Sequence, residues 1–247
     1  GRVVFVTGAS SGIGKATAKA FAQSGAKVIL ADTDSIGGEQ AVAEIGMAKD
    51  RVAYHYCDVA DVQSVSDALY RTEKDFGGLD IAFNNAGIEG AKASTEDYLT
   101  ENWDRVLQIN LTGVWNCMKH EIAIMKKNKA PASIVNCSSI AGLVGFPMMA
   151  AYVASKHGVV GLTKAAALEC AKGNIRINCV CPGVIATSMV ERLTLKPGSK
   201  QSFIDSEPMG RMGTVEEVAA AVLWLSSETA SFVTGHCMAV DGGWLAR

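Results

Sequence analysis

Tyr152 and Lys156 stand four residues apart in an alanine-rich stretch of helix-forming residues. That spacing puts both side chains on one face of a helix, about a turn apart. An ammonium so near a phenol favours the phenolate, the form that can take a proton from a substrate. Ser139 lies thirteen residues upstream, shortly after a strand-like run at 132–136, and strand-end residues line the ligand crevice of open α/β sheets. Its hydroxyl can hold a substrate oxygen. The chemistry within reach of these three side chains is proton exchange at an alcohol or carbonyl. A tyrosine and a lysine at this spacing also fit a plain amphipathic helix, so the surrounding elements decide.

The chain enters a β-branched run at 3–6, passes through Thr7-Gly8-Ala9-Ser10-Ser11-Gly12-Ile13-Gly14, and continues as the helical KATAKAFAQSGA. Strand, glycine loop and helix follow in the order a dinucleotide site requires. Glycines let the backbone approach a pyrophosphate, and the N–H groups at the helix start receive its charge. Ser10 and Ser11 can add hydroxyl donors. A second strand at 27–31 ends at Asp32, eighteen residues beyond Gly14. A carboxylate there accepts hydrogen bonds from the adenosine ribose and repels the extra phosphate of NADP, which predicts NAD. Lys15 could meet such a phosphate, but it reads better as a solvated first-turn lysine.

A helical pattern at 36–45 leads to a third strand at 52–56, followed by Asp58-Val59. Asp58 can accept from an adenine amino group or cap the helix that begins near Asp61. An amphipathic helix at 62–76 ends at Gly77-Gly78, and a fourth strand at 80–83 runs into Asn84-Asn85-Ala86-Gly87. That tetrapeptide is either a crevice wall, with Gly87 leaving room for a ribose, or an Asx turn. The stretch 101–127 is apolar at helical spacing except at Asn110, which reads as a satisfied core amide or a bend. A fifth strand at 132–137, the Ser139 loop, a helix at about 151–171 and a sixth strand at 175–180 ending in Pro182-Gly183 follow. Periodicity fades over 184–213, as it does in a substrate loop or lid. A helix at 215–225 and a seventh strand at 236–240 close the pattern. The sum is α/β: one Rossmann-type, doubly wound parallel sheet of about seven strands with helices on both faces, a single domain over 1–247.

Composition removes several function classes. At 247 residues with 49% hydrophobic and 19% charged, the chain can bury a full core, and a net charge of −2 draws it to neither nucleic acid nor an anionic membrane. No apolar run reaches the roughly 18 residues of a membrane span. The first residue is not methionine and no signal peptide is visible, so a short leading segment could precede Gly1. Seven scattered cysteines without a Cys-x-x-Cys pair, and four histidines without ligand spacing, predict reduced thiols, a cytoplasmic setting and no metal.

With TGASSGIG, NNAG, Asn110, Ser139, YVASK and PG in this order, the chain resembles the short-chain dehydrogenase/reductase family over essentially its whole length. The resemblance implies an NAD(P)-dependent oxidoreductase with a tetrad at Asn110, Ser139, Tyr152 and Lys156. Tyr152 would be the acid/base and Ser139 would fix the substrate oxygen, its spacing to Tyr152 favouring it over Ser138. Lys156 would bind the nicotinamide ribose, and Asn110 would carry a proton-relay water. Thr187 matches the contact to the nicotinamide carboxamide, and Asn84, Ala86 and Gly87 match the adenosine-side wall. The expected cofactor set is thus Gly8, Ser10, Ser11, Gly12, Ile13, Gly14, Asp32, Asp58, Val59, Asn85, Ala86, Gly87, Tyr152, Lys156, Pro182, Gly183, Ile185 and Thr187.

The apolar residues Ile88, Leu143, Val144, Phe146, Met148, Met149, Met189, Val190 and Leu193 suggest a hydrophobic or cyclic secondary alcohol or ketone. The resemblance points toward a cyclic alcohol, dione, diol or sugar. An NADP-dependent ketoacyl-carrier reductase is the alternative, disfavoured by Asp32 and the acidic balance. A non-catalytic dinucleotide sensor is a second, disfavoured by the complete tetrad. By resemblance the helices at 101–127 and 151–171 pair across two-fold axes into a homotetramer.

Overall fold

The computed structural model describes residues 1–48, 50–193, 201, 204, 205 and 207–247, with the side chain of Leu193 outside that set. The expected lid at 184–213 therefore falls only partly within the described residues, and the expectation for Leu193 lies outside them. Seven parallel strands form one sheet in the order β3-β2-β1-β4-β5-β6-β7. They are β1 (Val3–Thr7), β2 (Lys27–Asp32), β3 (Val52–Tyr56), β4 (Ile81–Asn84), β5 (Ala132–Cys137), β6 (Ile175–Pro182) and β7 (Cys237–Val240). Strand order reverses between β1 and β4, so their carboxyl ends open a crevice at the switch point.

The strands read as continuous apolar runs because helices cover both faces. β1 and β5 are buried at every position. One core, around Phe5, Ile29, Leu69, Ile134 and Ile177, lies under α3 (Val62–Phe76), α5 (Gly113–Asn128) and α6 (Ala150–Cys170). The other, around Val6, Leu30, Phe83, Val135 and Leu225, lies under α1 (Gly12–Gln23), α2 (Ser35–Ile45) and α8 (Val215–Ser226). Each large apolar side chain fully buried in these layers is worth about 1.5–3 kcal/mol. Helix ends follow local chemistry. Asp34 caps α2, Asp61 caps α3, Thr214 and Glu217 form a capping box on α8, and Gly46 and Gly77 end α2 and α3 in the left-handed region.

The apolar stretch expected as one helix over 101–127 is α4 (Thr100–Leu107) and α5 joined by a π-turn over Gln108–Thr112. Asn110 sits in that turn. Its amide makes hydrogen bonds outside the helix, which supports the wider coil locally. A short helix α7 (Ser188–Leu193) follows β6 over the crevice.

Candidate active site

The crevice is assembled from the carboxyl ends of β1, β2, β4, β5 and β6. After β1 the glycine loop turns through Gly8 (φ 63°) and Gly12 (φ 53°). A Cβ on Gly8 would stand 2.9 Å from Ala86 Cα and from Asn85 Nδ2, so this loop and the one after β4 are in direct contact. They are also stitched together. Thr7 Oγ1 accepts from the N–H groups of Asn85 (3.0 Å) and Ala86 (3.1 Å), and Asn85 Nδ2 donates to Thr7 O and Gly8 O. Gly14 has no room for a side chain because its missing Cβ would strike Gly8 O. Ser11 precedes α1 without capping it, which leaves the first-turn N–H groups open to an anionic ligand.

Gly8, Ser10, Ser11, Gly12, Ile13, Asp32, Asp58, Val59, Asn85, Ala86, Gly87 and Thr187 all line one cleft. Tyr152, Lys156, Ser139, Pro182, Gly183 and Ile185 line the adjoining cavity, and Ile13, Asn85, Gly87 and Thr187 belong to both. A glycine-walled cleft with open helix N–H groups at its centre and a carboxylate at its far end fits a dinucleotide. Ser10 differs from the expectation: its N–H (3.0 Å) and its hydroxyl (2.7 Å) both donate to Asp32 Oδ2, because the loop passes within reach of the β2 end. Lys15 pairs with Glu44 at 2.9 Å. Asp61, not Asp58, caps α3, and Asp58 Oδ1 takes the Ala60 N–H.

Asn84 is the residue that resemblance placed wrongly. It is buried, and its Nδ2 donates to Glu121 Oε2 and Asn136 Oδ1, both at 3.0 Å, while Asn136 Nδ2 donates to Thr163 Oγ1 at 2.9 Å. Successive strand residues face opposite ways, so Asn85 lines the cleft and Asn84 enters the core. Burial pushes Glu121 up to about 8, with the Asn84 hydrogen bond pulling the other way.

Helix α6 carries Tyr152 half-buried and Lys156 only 3% exposed. Lys156 Nζ donates to Cys137 O at 2.8 Å and lies 5.6 Å from the centre of the Tyr152 ring. Three consecutive β5-end residues grip this helix: Asn136 at Thr163, Cys137 at Lys156 Nζ, and Ser138 Oγ at Lys156 O (2.9 Å). Both serines border the cavity, but Ser138 is a buried fastening, while Ser139 is partly exposed and its Oγ accepts the Ala141 N–H at 3.1 Å. Asn110 is fully buried. Its Oδ1 accepts from Ile88 N (2.8 Å), and its Nδ2 donates to Ile88 O (2.9 Å) and Ser155 Oγ (3.2 Å). A Cβ on Gly87 would lie 3.2 Å from Asn110 Oδ1 and 3.5 Å from Lys156 Nζ, so Gly87 leaves space between the two.

The cavity wall is apolar, with Ile140, Phe146, Met149, Met189 and Val190. Four other expected wall residues are elsewhere. Ile88 faces the cofactor cleft, Leu143 and Met148 are exposed, and Val144 is not part of the lining. Sequence reasoning also missed three contributors. Glu89 and Lys92 stand at the rim, and Glu89 holds Arg192 of α7 through two hydrogen bonds at 3.0 and 3.2 Å. Burial raises Glu89, but the Arg192 hydrogen bonds and charge outweigh it and leave the carboxyl below its usual range. Trp244 packs against Phe146 with ring centres 5.2 Å apart. Partners roughly a hundred residues apart leave no periodicity to read.

Among the described residues no cluster could hold a metal, and no helix is long and apolar enough to cross a membrane. Residues 8–245 match a family model described as enoyl-(acyl carrier protein) reductase. The chain is 42% identical to a 2,5-dichloro-2,5-cyclohexadiene-1,4-diol dehydrogenase of Sphingobium indicum, covering 100% of this chain and 98% of that one. It is 41% identical to a cyclohexanol dehydrogenase of an Acinetobacter species, covering 100% and 96%. The crystal structure of levodione reductase superposes with a TM-score of 0.96 at 39% identity, over 99% and 98% of the two chains. The crevice at the β1/β4 switch, the Tyr152–Lys156 helix face and these matches together assign the chain to the short-chain dehydrogenase/reductase family, enzymes of oxidoreduction at CH–OH groups.

Proposed function

We propose that this chain is an NAD-dependent dehydrogenase of cyclic secondary alcohols, using Asn110, Ser139, Tyr152 and Lys156. The observation that carries the reading is the buried Lys156 ammonium beside the Tyr152 ring, in the same cavity as Ser139. A bound nicotinamide supplies the hydride acceptor. Ser139 donates to the substrate oxygen and holds the carbinol against the Tyr152 hydroxyl. Tyr152 takes the hydroxyl proton as hydride leaves the carbinol carbon, and returns it when a ketone is reduced. Lys156, fixed by Cys137 O, stands beside the Tyr152 ring and would bind the nicotinamide ribose. Asn110 fastens the Ile88 loop to α6 and borders the space at Gly87 through which a water would connect Lys156 to solvent.

Asp32 at the end of β2, with Lys15 turned to Glu44, favours NAD over NADP. The apolar cavity, together with relatives named for a cyclohexadienediol and for cyclohexanol, favours a six-membered carbocycle. Exposed Leu99, Trp115 and Leu168 on the α4 to α6 side support a homo-oligomer, read as a tetramer. Seven free cysteines, six of them buried, support a reducing cytoplasmic setting.

The test is a spectrophotometric panel of cyclohexanol, a cyclic diol, a cyclic dione, a sugar and a β-ketoacyl thioester with each nicotinamide cofactor. NADH formation from a cyclic alcohol is expected. Activity confined to the thioester with NADPH would replace the reading with a ketoacyl reductase. NAD binding without turnover of any panel member would make the chain a sensor.

A further inference from the structure

Three of the seven cysteines meet behind the active site. Cys179 and Cys181 point to the same side of β6 with sulfurs 3.8 Å apart, and Cys237 on β7 is the register partner of Cys179. All three pack with Val160 of α6. Cys179 and Cys181 are fully buried, whereas Cys237 is the one cysteine of the seven that is not buried. From Cys181 the cluster adjoins the catalytic loop, since the carbonyl of its β6 neighbour Val180 accepts the Ser138 N–H at 2.9 Å.

Backbone spacing favours the pair across the ladder. Adjacent strands lie about 4.8 Å apart, inside the 4.4–6.8 Å Cα separation of disulfides, whereas alternate residues along one strand are about 6.6 Å apart, at its upper limit. β7 is four residues long and forms the sheet edge, so it can adjust to a bond with β6. Cys181, which the Cys179 thiol also lowers, is fully buried, and the cysteines outside the cluster are poor competitors. Burial pushes Cys57 up to about 12 and raises Cys117, Cys137 and Cys170, so each stays a protonated thiol. Cys237 goes the other way: the facing Cys179 thiol, helped by the Lys164 charge and opposed by burial, lowers it to about 7. A partly exposed thiol with a second thiol across the ladder has the anatomy of a peroxide-reactive pair.

We propose that Cys237 and Cys179 are a hydroperoxide-oxidised dithiol whose closure disturbs Ser139 through Cys181. The Cys237 thiolate attacks the peroxide, the O–O bond breaks to release an alcohol or water, and Cys237 becomes a sulfenic acid. The Cys179 thiol then displaces water from it, forming the S–S bond. Two thiols are oxidised by two electrons, one peroxide is reduced, and external thiol reverses the reaction. Drawing Cys179 towards β7 moves it away from Cys181 and alters the packing beneath Ser138 and Ser139.

The loss of activity rests on the dehydrogenase reading, but formation of the bond does not, so mass and activity are read separately. The purified chain is treated with a small excess of hydrogen peroxide, then alkylated, weighed intact and mapped by peptide. A loss of 2 Da assigned to a Cys179–Cys237 bridge is expected, with a fall in turnover of at least about fivefold that dithiothreitol restores. Cys237→Ser should keep the untreated turnover, show no 2 Da loss, and retain activity under peroxide. Unchanged mass, a bridge between other cysteines, or irreversible sulfinic acid at Cys237 would overturn the pair. A mapped bridge with full activity would overturn the link to Ser139, and equal peroxide inactivation of Cys237→Ser would overturn both.

Discussion

The two halves of the crevice are built on different principles. The cofactor half is backbone and short polar side chains tied to one another: Thr7 to Asn85 and Ala86, Asn85 to Gly8, Ser10 to Asp32. The substrate half is a set of apolar side chains on loops and on α7, fastened by the Glu89–Arg192 pair and the Phe146–Trp244 contact. The first is specified by residue type at fixed spacing, since only glycine tolerates those turns and contacts. The second is specified by shape, which many apolar combinations satisfy. One half therefore suits a shared ligand and the other a variable one.

Between the halves stands Asn110, and removing it should break both. Asn110→Leu strands the Ile88 N–H and carbonyl and the Ser155 hydroxyl, and each buried orphan costs about 1–3 kcal/mol. Turnover should fall about a hundredfold and the melting temperature should drop by several degrees, checked by steady-state kinetics and thermal unfolding. Near-wild-type behaviour would separate the halves.

In the cofactor half, Asp32→Ala removes hydrogen bonds to a charged acceptor, each worth about 1.5–3 kcal/mol. NAD kcat/KM should fall by about 10–100-fold while NADP kcat/KM holds or rises, and the ratio of the two is the measurement. An unchanged ratio would move cofactor choice elsewhere.

The third probe lies below the crevice, where Glu121 joins Asn84 and Asn136. Its folded value of about 8 exceeds the ordinary 4.5, so the native state keeps a proton that the unfolded chain releases. The resulting stability is fully present below pH 4.5, is lost progressively as pH rises, and is gone once pH passes about 8. Glu121→Gln cannot ionise and should gain on the wild type between pH 6 and pH 9, measured by urea unfolding at both. Parallel stabilities at the two values would contradict this.

The smallest effect belongs to the substrate half. Glu89→Gln weakens a pair whose side chains are 18% and 57% exposed, and such pairs contribute about 0–1 kcal/mol. Substrate KM should change by no more than about fivefold, with cofactor KM constant.

The same division explains what the sequence made legible. The seven strands, the glycine loop, Asp32 and the α6 pair follow from local spacing, and they stand where that spacing puts them. Asn84 was misplaced because two adjacent asparagines look alike until the pleat decides which one faces the core. The π-turn escaped because its cause, the Ile88 loop, is twenty-two residues away. Hydrophobicity alone assigns Leu143 and Met148 to the substrate wall, whereas both are exposed, Leu143 just after the turn at 140–142 and Met148 at a positive φ of 66°.

The most direct measurement is made on Tyr152→Phe, with NADH affinity from fluorescence titration and hydride transfer from a cyclic alcohol in a single turnover. The phenyl ring keeps the packing against Lys156 and loses only the hydroxyl, so affinity should stay within about threefold while transfer slows by 10²–10⁴. Transfer within tenfold of wild type, or loss of NADH binding along with it, would contradict a tyrosine that trades the substrate's proton.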